Sequence, residues 1–304
     1  MTDGTASLRR QIGSAAELRS VVRAMKAQAA ASVGQYQKSV DALGDYARTV
    51  DQGLGVCFRQ SETRHVAPPP HATTRGAKGT VLRAVVFGSD QGLVGRFNDI
   101  VLALAQQSLA ALHGTPQLWA VGERLRAAVG GSGMPLSGVF PVPRSVGAIA
   151  TLVGKILVEV VEASEAVERP GSTVELHLFY NRPTTGAEYE PVGQRLLPLD
   201  DAWRRGLIRQ SGASPGTVPD ILGSRAATLR ALIREYLFVS LFRACAESLA
   251  SENSSRLAAM ERADRNIDKM LVRLNNGFHK MRQTAIDEEL SDVVAGFKAL
   301  HSEG

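Results

Sequence analysis

The first part of the chain carries a narrow stripe of apolar and small side chains that recurs at alternating spacings of three and four residues. No proline interrupts residues 8–55, and this spacing predicts one long helix whose stripe needs a partner. The next segment, residues 61–79, is rich in Pro, Thr and Gly and predicts a linker at a domain boundary. The stripe consists of Val22, Met25, Ala29, Val33, Tyr36, Val40, Leu43, Ala47, Val50 and Leu54.

Between residues 81 and 199, short apolar runs alternate with helical patterns. We expect strands at 81–87, 118–121, around Val139, at 173–181 and at 189–199, and helices at 100–112, 123–129 and 146–163. Such alternation predicts βαβ units, and therefore a Rossmann-like, mainly parallel sheet with helices on its faces.

The last part of the chain predicts its longest helix, over residues 225–300, after a Gly/Ser/Pro-rich loop at 205–219. A heptad stripe runs along this helix with one polar interruption, and after Ala285 it shifts by one position. Its members are Leu257, Met260, Asp264, Ile267, Leu271, Leu274, Phe278, Met281 and Ala285, then Ile286, Leu290, Val293, Phe297 and Leu300.

The two terminal stripes favour pairing with each other as an antiparallel coiled coil. The α/β block lies between them in sequence, so the chain has to leave the pair and return to it at one place. The predicted organisation is therefore an N-terminal coiled-coil helix (1–60), an inserted α/β domain (61–219) and a C-terminal coiled-coil helix (220–304).

Composition excludes several classes of protein. The 304 residues are 44% hydrophobic and 21% charged with a net charge of +5, which is typical of a globular protein and does not by itself indicate nucleic-acid binding. Cys57 and Cys245 stand far apart and form neither a disulfide framework nor a zinc spacing, so we expect a reducing compartment. No apolar leader or membrane-length apolar stretch is present, and we expect any work at a membrane to proceed through partners.

Three motifs indicate a family. They are LRSVVRAMKAQAAAS at 18–32, SDQGLVGRFN at 89–98, and the segment 251–296 with its R-x-x-A-M and R-Q-x-A-I-x-x-E-L elements. With them the chain resembles the gamma subunit of F-type ATP synthase over almost its whole length. The segment after Ser32 lacks the Lys/Arg cluster common in that family, which indicates a divergent bacterial branch and leaves the coupling ion, proton or sodium, open.

The resemblance implies a rotor shaft. In the family the coiled coil inserts into a hexamer of alternating alpha and beta subunits, and the α/β domain sits with the epsilon subunit on the membrane-embedded c-ring. The implied role is mechanical coupling of ring rotation to nucleotide affinity, without catalysis, cofactor or metal in this chain. The implied location is the cytoplasmic face of a bacterial inner membrane, without nucleic-acid binding or membrane insertion.

The resemblance also assigns contact residues. Arg282 and Gln283 match positions that bind a loop of one catalytic subunit, and Glu289 lies in the same motif, although Asp287 replaces the usual hydroxyl-bearing residue there. Met25 and Lys26 match family positions near an acidic segment of a beta subunit. Arg256 matches a family arginine with a role in coupling. Each also has a plainer interpretation, as a core methionine, a solvated cation or an ion-pair partner.

The turn at 89–98 follows a strand and precedes a helix, as phosphate-binding turns do. It lacks both the G-x-G-x-x-G spacing and a G-K-[ST] ending, so a structural role is favoured. Gly92 and Gly95 would permit a tight crossing, and Asp90 or Asn98 would cap the turn or a helix, with Ser89 in the same motif. Arg96 and Val94 depart from the family's usual glycine and cysteine.

Two other classes of function stay open at this stage. A Rossmann-like nucleotide-binding protein with helical extensions predicts saturable nucleotide binding. A coiled-coil adaptor or nucleic-acid-binding rod is motivated by the basic N-terminal helix and predicts steeply salt-dependent DNA affinity. Metal or triad chemistry is not indicated, because the six histidines form no ligand spacing; they are His65, His71, His113, His177, His279 and His301.

Overall fold

The computed structural model describes residues 2–62, 80–112, 114–162, 173–185, 188–210 and 223–301. The chain forms two compact units, one comprising residues 1–29 with 256–304 and the other residues 30–255. The domain limits predicted at 60/61 and 219/220 stay a prediction, and most of the predicted linker, residues 63–79, lies outside the described residues. In chain order the elements are α1 (Thr2–Glu62), β1 (Thr80–Phe87), α2 (Phe97–Ala110), β2 (Gln117–Val121), α3 (Glu123–Ser132), β3 (Leu136–Phe140), α4 (Val146–Ile156), a π-helix (Leu157–Glu162), β4 (Thr173–Pro183), β5 (Tyr189–Leu197), α5 (Asp201–Gln210) and α6 (Arg225–His301).

The larger unit is built on a five-stranded sheet with the order β3-β2-β1-β4-β5. The first four strands pair in parallel, and β5 pairs antiparallel with β4 as an edge strand. The predicted mainly parallel, Rossmann-like sheet is therefore confirmed. All five predicted strands are present, with ends that differ by at most two residues.

Helices cover both faces of this sheet. Alternate residues of β1 point to opposite faces, so Val85 and Phe87 join one cluster whereas Ala84 and Val86 join another. The first cluster packs against α4 and the inner part of α6, including Leu237. The second packs against α2 and α3.

The long helix α1 follows its predicted stripe. None of the ten stripe residues from Val22 to Leu54 is exposed, and Ala29 and Leu54 are almost fully buried. The stripe therefore faces other parts of the protein along its whole length, as the three-four spacing predicts.

In the smaller unit the two terminal helices pair antiparallel, as predicted. Gly4 lies beside Met281, Arg19 pairs with Asp264 at 3.3 Å, and Lys26 pairs with Glu261 at 3.3 Å. Residue numbers thus rise along α1 as they fall along α6. Buried Val22, Met260 and Ile267 form the seam between these segments, with Met25 and Leu271 packed against it.

One local prediction is wrong in part, and one predicted helix is present with a change of helix type. The predicted loop at 205–219 begins as helix α5, and its residues 211–219 lie outside the described residues. The first turn of α5 is capped by the Asp200 carboxylate, which accepts from the Ala202 N–H at 3.0 Å. Its Leu207 is buried beside Val50 and Phe58 of α1, and this tertiary contact outweighs the weak helical pattern around Gly206. The predicted helix at 146–163 changes to a π-helix after Ile156.

Candidate functional site

The turn after β1 is organised by a buried serine and an asparagine. The Ser89 N–H donates to Asn98 Oδ1 at 2.9 Å, and Asn98 Nδ2 donates back to Ser89 Oγ at 2.9 Å. Ser89 is fully buried, and its hydroxyl donates to the Gln91 carbonyl at 3.0 Å. Asn98 therefore ties the start of the turn to the first residues of α2 through two reciprocal hydrogen bonds.

Asp90 links this turn to two neighbouring strand ends. Its Oδ1 accepts from the Glu123 N–H at 3.0 Å at the start of α3, and its Oδ2 accepts from the Val142 N–H at 3.2 Å after β3. The carboxylate occupies the amino end of α3, which is where a bound phosphate would otherwise benefit from the helix dipole. The place is thus filled by the protein's own anion.

Glycines permit the close approach of these loops. Gly95 has φ +60°, and Gly122 has φ +112°, a region that other residues rarely adopt. A Cβ on Gly122 would lie 2.6 Å from the Ser89 carbonyl oxygen. Gly92 faces the Arg124 guanidinium, which a Cβ would approach to 3.2 Å.

Helix α6 closes the crevice in which open parallel sheets usually bind ligands. In this strand order the crevice lies at the carboxyl ends of β1 and β4, where the connections turn in opposite directions. There Ser251 Oγ donates to the Asn181 carbonyl at 3.0 Å, and Ser255 Oγ donates to the Val94 carbonyl at 2.8 Å. The Asn181 amide donates to the Phe97 carbonyl at 2.9 Å.

These contacts favour a structural joint over nucleotide binding at this place. Ser251, Ser255 and Asn181 are all buried. These three residues are not predicted from the sequence, although the two serines stand four residues apart at the ends of the polar run SENSS at 251–255. That spacing places both hydroxyls on one helix face.

In the smaller unit, three of the contact residues suggested by the resemblance face solvent. Arg282, Gln283 and Glu289 are exposed on α6. Arg282 and Glu289 line a shallow groove together with Arg9 of α1, whereas Gln283 is not among the groove-lining residues. The groove floor includes Phe278.

The other three suggested residues are more enclosed. Met25 packs against the seam formed by Val22, Met260 and Ile267, and Lys26 pairs with Glu261 across the two helices. Arg256 is half-buried on α6. The structure therefore separates an exposed group around Arg282 from residues engaged in or near the helix pair.

Beyond Met281 the apolar stripe of α6 is exposed to solvent. Ile286, Leu290, Val293 and Val294 are exposed by 45%, 59%, 69% and 53% respectively. Exposure of four large apolar side chains within nine residues of one helix is a feature of protein interaction surfaces. We refer to these four residues as the apolar tip.

The remaining candidate chemistry takes no part in a site. Cys57 and Cys245 are both buried thiols, and burial raises the pKa of both. No cluster of potential metal ligands occurs among the described residues. Among the helices that the structure describes, none combines the length and apolarity required to cross a membrane.

Taken together, the geometry defines a class of protein. Its terminal helices pair antiparallel, a mainly parallel sheet domain is inserted between them in sequence, and the far part of the last helix presents an uncovered apolar surface. This combination is that of paired terminal helices with an α/β domain inserted between them in sequence.

Comparison with known proteins identifies the family. The sequence model of the ATP synthase family matches residues 4–300, so the chain belongs to that family. The ATP synthase gamma chain of an Anaeromyxobacter species is 28% identical over 96% of this chain and 98% of its own length. The gamma chain of Paraburkholderia phytofirmans is 29% identical over 98% and 99% respectively.

Solved structures show the same fold. A chain of the Euglena gracilis mitochondrial ATP synthase, in a structure of OSCP, F1 and c-ring, superposes with a TM-score of 0.60 at 15% identity, covering 99% of this chain and 96% of that chain. A chain from the central stalk and c-ring of the Tetrahymena thermophila enzyme gives 0.53 at 22% identity, covering 80% and 99%.

Proposed function

We propose that this chain is the central-stalk rotor subunit of a rotary F-type ATP synthase, coupling c-ring rotation to nucleotide affinity in a hexamer of alpha and beta subunits. The observation that carries the proposal is the apolar tip, which follows the paired segment of α6 and is largely exposed within the described residues. Full-length similarity to gamma chains supports the same role.

The apolar tip requires a partner that covers it. Its four side chains lie at 286, 290, 293 and 294, spacings that keep them within one broad face of a helix. A ring of subunits around the helix end would remove this face from water in every rotational position of the helix. The alpha/beta hexamer is a partner of that shape.

The paired segment is suited to transmit torque. No proline interrupts α6, and the seam of the smaller unit is braced by ion pairs from Arg19 and Arg23 to Asp264 and from Lys26 to Glu261. In the larger unit, Ser251 and Ser255 fasten the same helix to the sheet's strand and turn carbonyls. A rotation applied to the sheet is therefore passed to α6 through rigid contacts.

Specific contacts with a catalytic subunit follow from exposure. Arg282 and Gln283 present a guanidinium and a carboxamide to solvent, a pair that suits capture of a backbone or carboxylate loop, with Glu289 beside them. We assign Met25, Lys26 and Arg256 mainly to the integrity of the helix pair. The α/β unit would contact the epsilon subunit and the c-ring.

The proposed role is non-catalytic, at the membrane periphery on the cytoplasmic side of a bacterial inner membrane. Asp90 fills the helix terminus where a phosphate could bind, and α6 fills the crevice beside it. Both features argue against the nucleotide-binding alternative.

The rotor proposal is tested by gentle detergent extraction of source membranes with a tag on this chain. Recovery of one copy with about three alpha and three beta subunits is the expected result. Recovery of the chain alone, or with nucleic acid, would refute the proposal.

The proposed contact is tested by the double variant Arg282→Ala/Gln283→Ala in the assembled complex. Loss of charge-assisted hydrogen bonds should lower coupled ATP turnover roughly tenfold, with unchanged helicity of the chain. The matched control is Arg230→Ala, an exposed arginine near the start of the same helix. Turnover equal to that of the control would remove the contact from the proposal.

A further inference from the structure

A partly enclosed cavity of about 200 Å³ lies within the larger unit, apart from the turn and the shaft. It is bounded by α1, β4, β5, α5 and α6. The wall combines three aromatic rings, from Tyr180, Trp203 and Tyr236, with the side chains of Asp51 and Gln194. Aromatic residues are only 5% of the chain, so three in one cavity wall is a pronounced local enrichment.

Asp51 brings a carboxylate without a counterpart into this cavity. In the part of the chain that the structure describes, no hydrogen bond or ion pair within 4.0 Å joins its side chain to another residue. Burial raises the pKa of Asp51, and the more distant Arg243 only partly opposes that shift. The half-buried carboxylate has therefore lost part of its hydration, and no hydrogen bond or close ion pair within the described residues replaces it.

Arg243, the cation of the cavity wall, is engaged elsewhere. Its Nε lies 3.4 Å from Glu247 Oε1, and Arg182 Nε lies 3.5 Å from the other oxygen of the same carboxylate. Arg182 also lies 3.9 Å from Glu190. The charges of these four groups balance one another, so Arg243 compensates the charge of Asp51 only in part.

The aromatic wall suits a cation. The Trp203 and Tyr236 ring centroids are 4.6 Å apart with a tilt of 42°, so the two rings pack against each other in the cavity wall. Burial raises the pKa of Tyr236, while its hydrogen bonds with Ser240 and Gln194 oppose that rise. Aromatic faces beside a carboxylate form the usual surroundings of a bound organic ammonium group.

We propose that this cavity is a binding site for a small alkylammonium ion, with the ammonium on Asp51 and the alkyl part against Trp203 and Tyr236. The volume of about 200 Å³ accommodates a ligand of roughly seven non-hydrogen atoms or fewer, since each water in the liquid occupies about 30 Å³. A single carboxylate with aromatic neighbours lacks the oxygen set that a metal ion needs. This inference does not depend on the rotor proposal.

The test is a fluorescence titration of the full-length chain with n-butylammonium chloride. n-Butanol controls for the shape of the alkyl chain, and sodium chloride controls for ionic strength. The chain has two tryptophans, and Trp119 is buried with its indole N–H donating to Glu159 at 3.1 Å, so the change should come from Trp203. We expect a saturable change at millimolar butylammonium and none with the other probes.

The decisive variant is Asp51→Asn, which preserves shape and removes the charge. It should weaken butylammonium binding at least about tenfold, whereas the matched control Asp41→Asn, an exposed aspartate on the same helix, should leave it unchanged. The wild-type chain gives a second readout, because binding should be lost as pH falls and Asp51 takes up a proton. The proposal would be overturned if the titration did not saturate or if butanol gave an equal response. It would also be overturned if Asp51→Asn bound butylammonium with equal affinity, or if binding persisted after Asp51 is protonated.

Discussion

Replacing Ile267 by alanine tests the helix pair at its centre. Ile267 is 4% exposed and packs with Val22 and Met260 in the seam of the smaller unit. Removing three carbon atoms from such a site costs about 2–5 kcal/mol, and alanine's better helix propensity returns roughly 0.4 kcal/mol. A two-helix seam collapses around a cavity more easily than a closed core, so we expect about 2–3 kcal/mol.

The assay is urea unfolding of the full-length chain, followed by the helical circular dichroism signal. The matched control is Ile286→Ala on the same helix, because Ile286 is 45% exposed in the apolar tip. This variant should change the unfolding free energy by less than about 0.5 kcal/mol. Equal destabilisation by the two variants would show that the seam does not end before the tip, and the assignment of the tip as a partner-binding surface would then fail.

The same pair separates stability from function in the complex. Ile286→Ala should lower the yield or coupling of the assembled complex, although it spares the isolated chain, because its side chain is proposed to be buried only by partners. Ile267→Ala should act mainly through the chain's own stability.

Two further predictions concern the larger unit. Gly122→Ala should lower the free energy of unfolding by about 3 kcal/mol or more, because alanine is strained at φ +112° and its Cβ would meet the Ser89 carbonyl. The control Gly130→Ala in α3, where an added Cβ meets nothing within 4 Å, should raise it by about 0.5–1 kcal/mol. Thermal unfolding measures both effects. Asp51→Asn should raise the melting temperature at pH 7 and lose that advantage towards pH 3, since an acid whose folded-state pKa is raised costs stability above that pKa and none once both states are protonated. An equal effect of Asp51→Asn at both pH values would contradict the burial argument.

The sequence predicts those parts of the fold that a repeating pattern encodes. The three-four spacing from Val22 to Leu54 locates both the helix and its buried face, because an apolar or small residue recurs about once in every helical turn. Short runs rich in apolar residues likewise locate β1 and β4, because buried parallel strands carry apolar side chains on both faces.

Features set by a single tertiary contact are not visible in the sequence. Helix α5 depends on Leu207 meeting Val50 and Phe58, which are about 150 residues away in sequence. No local signal marks Asp51, which looks like an ordinary polar position of α1 until α5 and α6 close around it. Exposure of the tip is equally hidden, because the stripe of α6 continues through Ile286 and Leu290 without any mark of where α1 ceases to cover it.

The closed crevice explains how one sheet architecture serves a mechanical role. In open α/β sheets the carboxyl ends of the strands offer free backbone groups and a helix amino terminus, which together attract anionic ligands. Here Asp90 takes the helix terminus, and the hydroxyls of Ser251 and Ser255 take the carbonyls of Asn181 and Val94. Asp90 thus takes the place of a ligand at the amino end of α3, and the two serines fasten α6 to the strand and the turn, so the groups that could hold a ligand hold elements of the protein instead. Ligand binding in this crevice would require α6 to move away from the strand ends, whereas a mechanical connection requires α6 to keep these contacts.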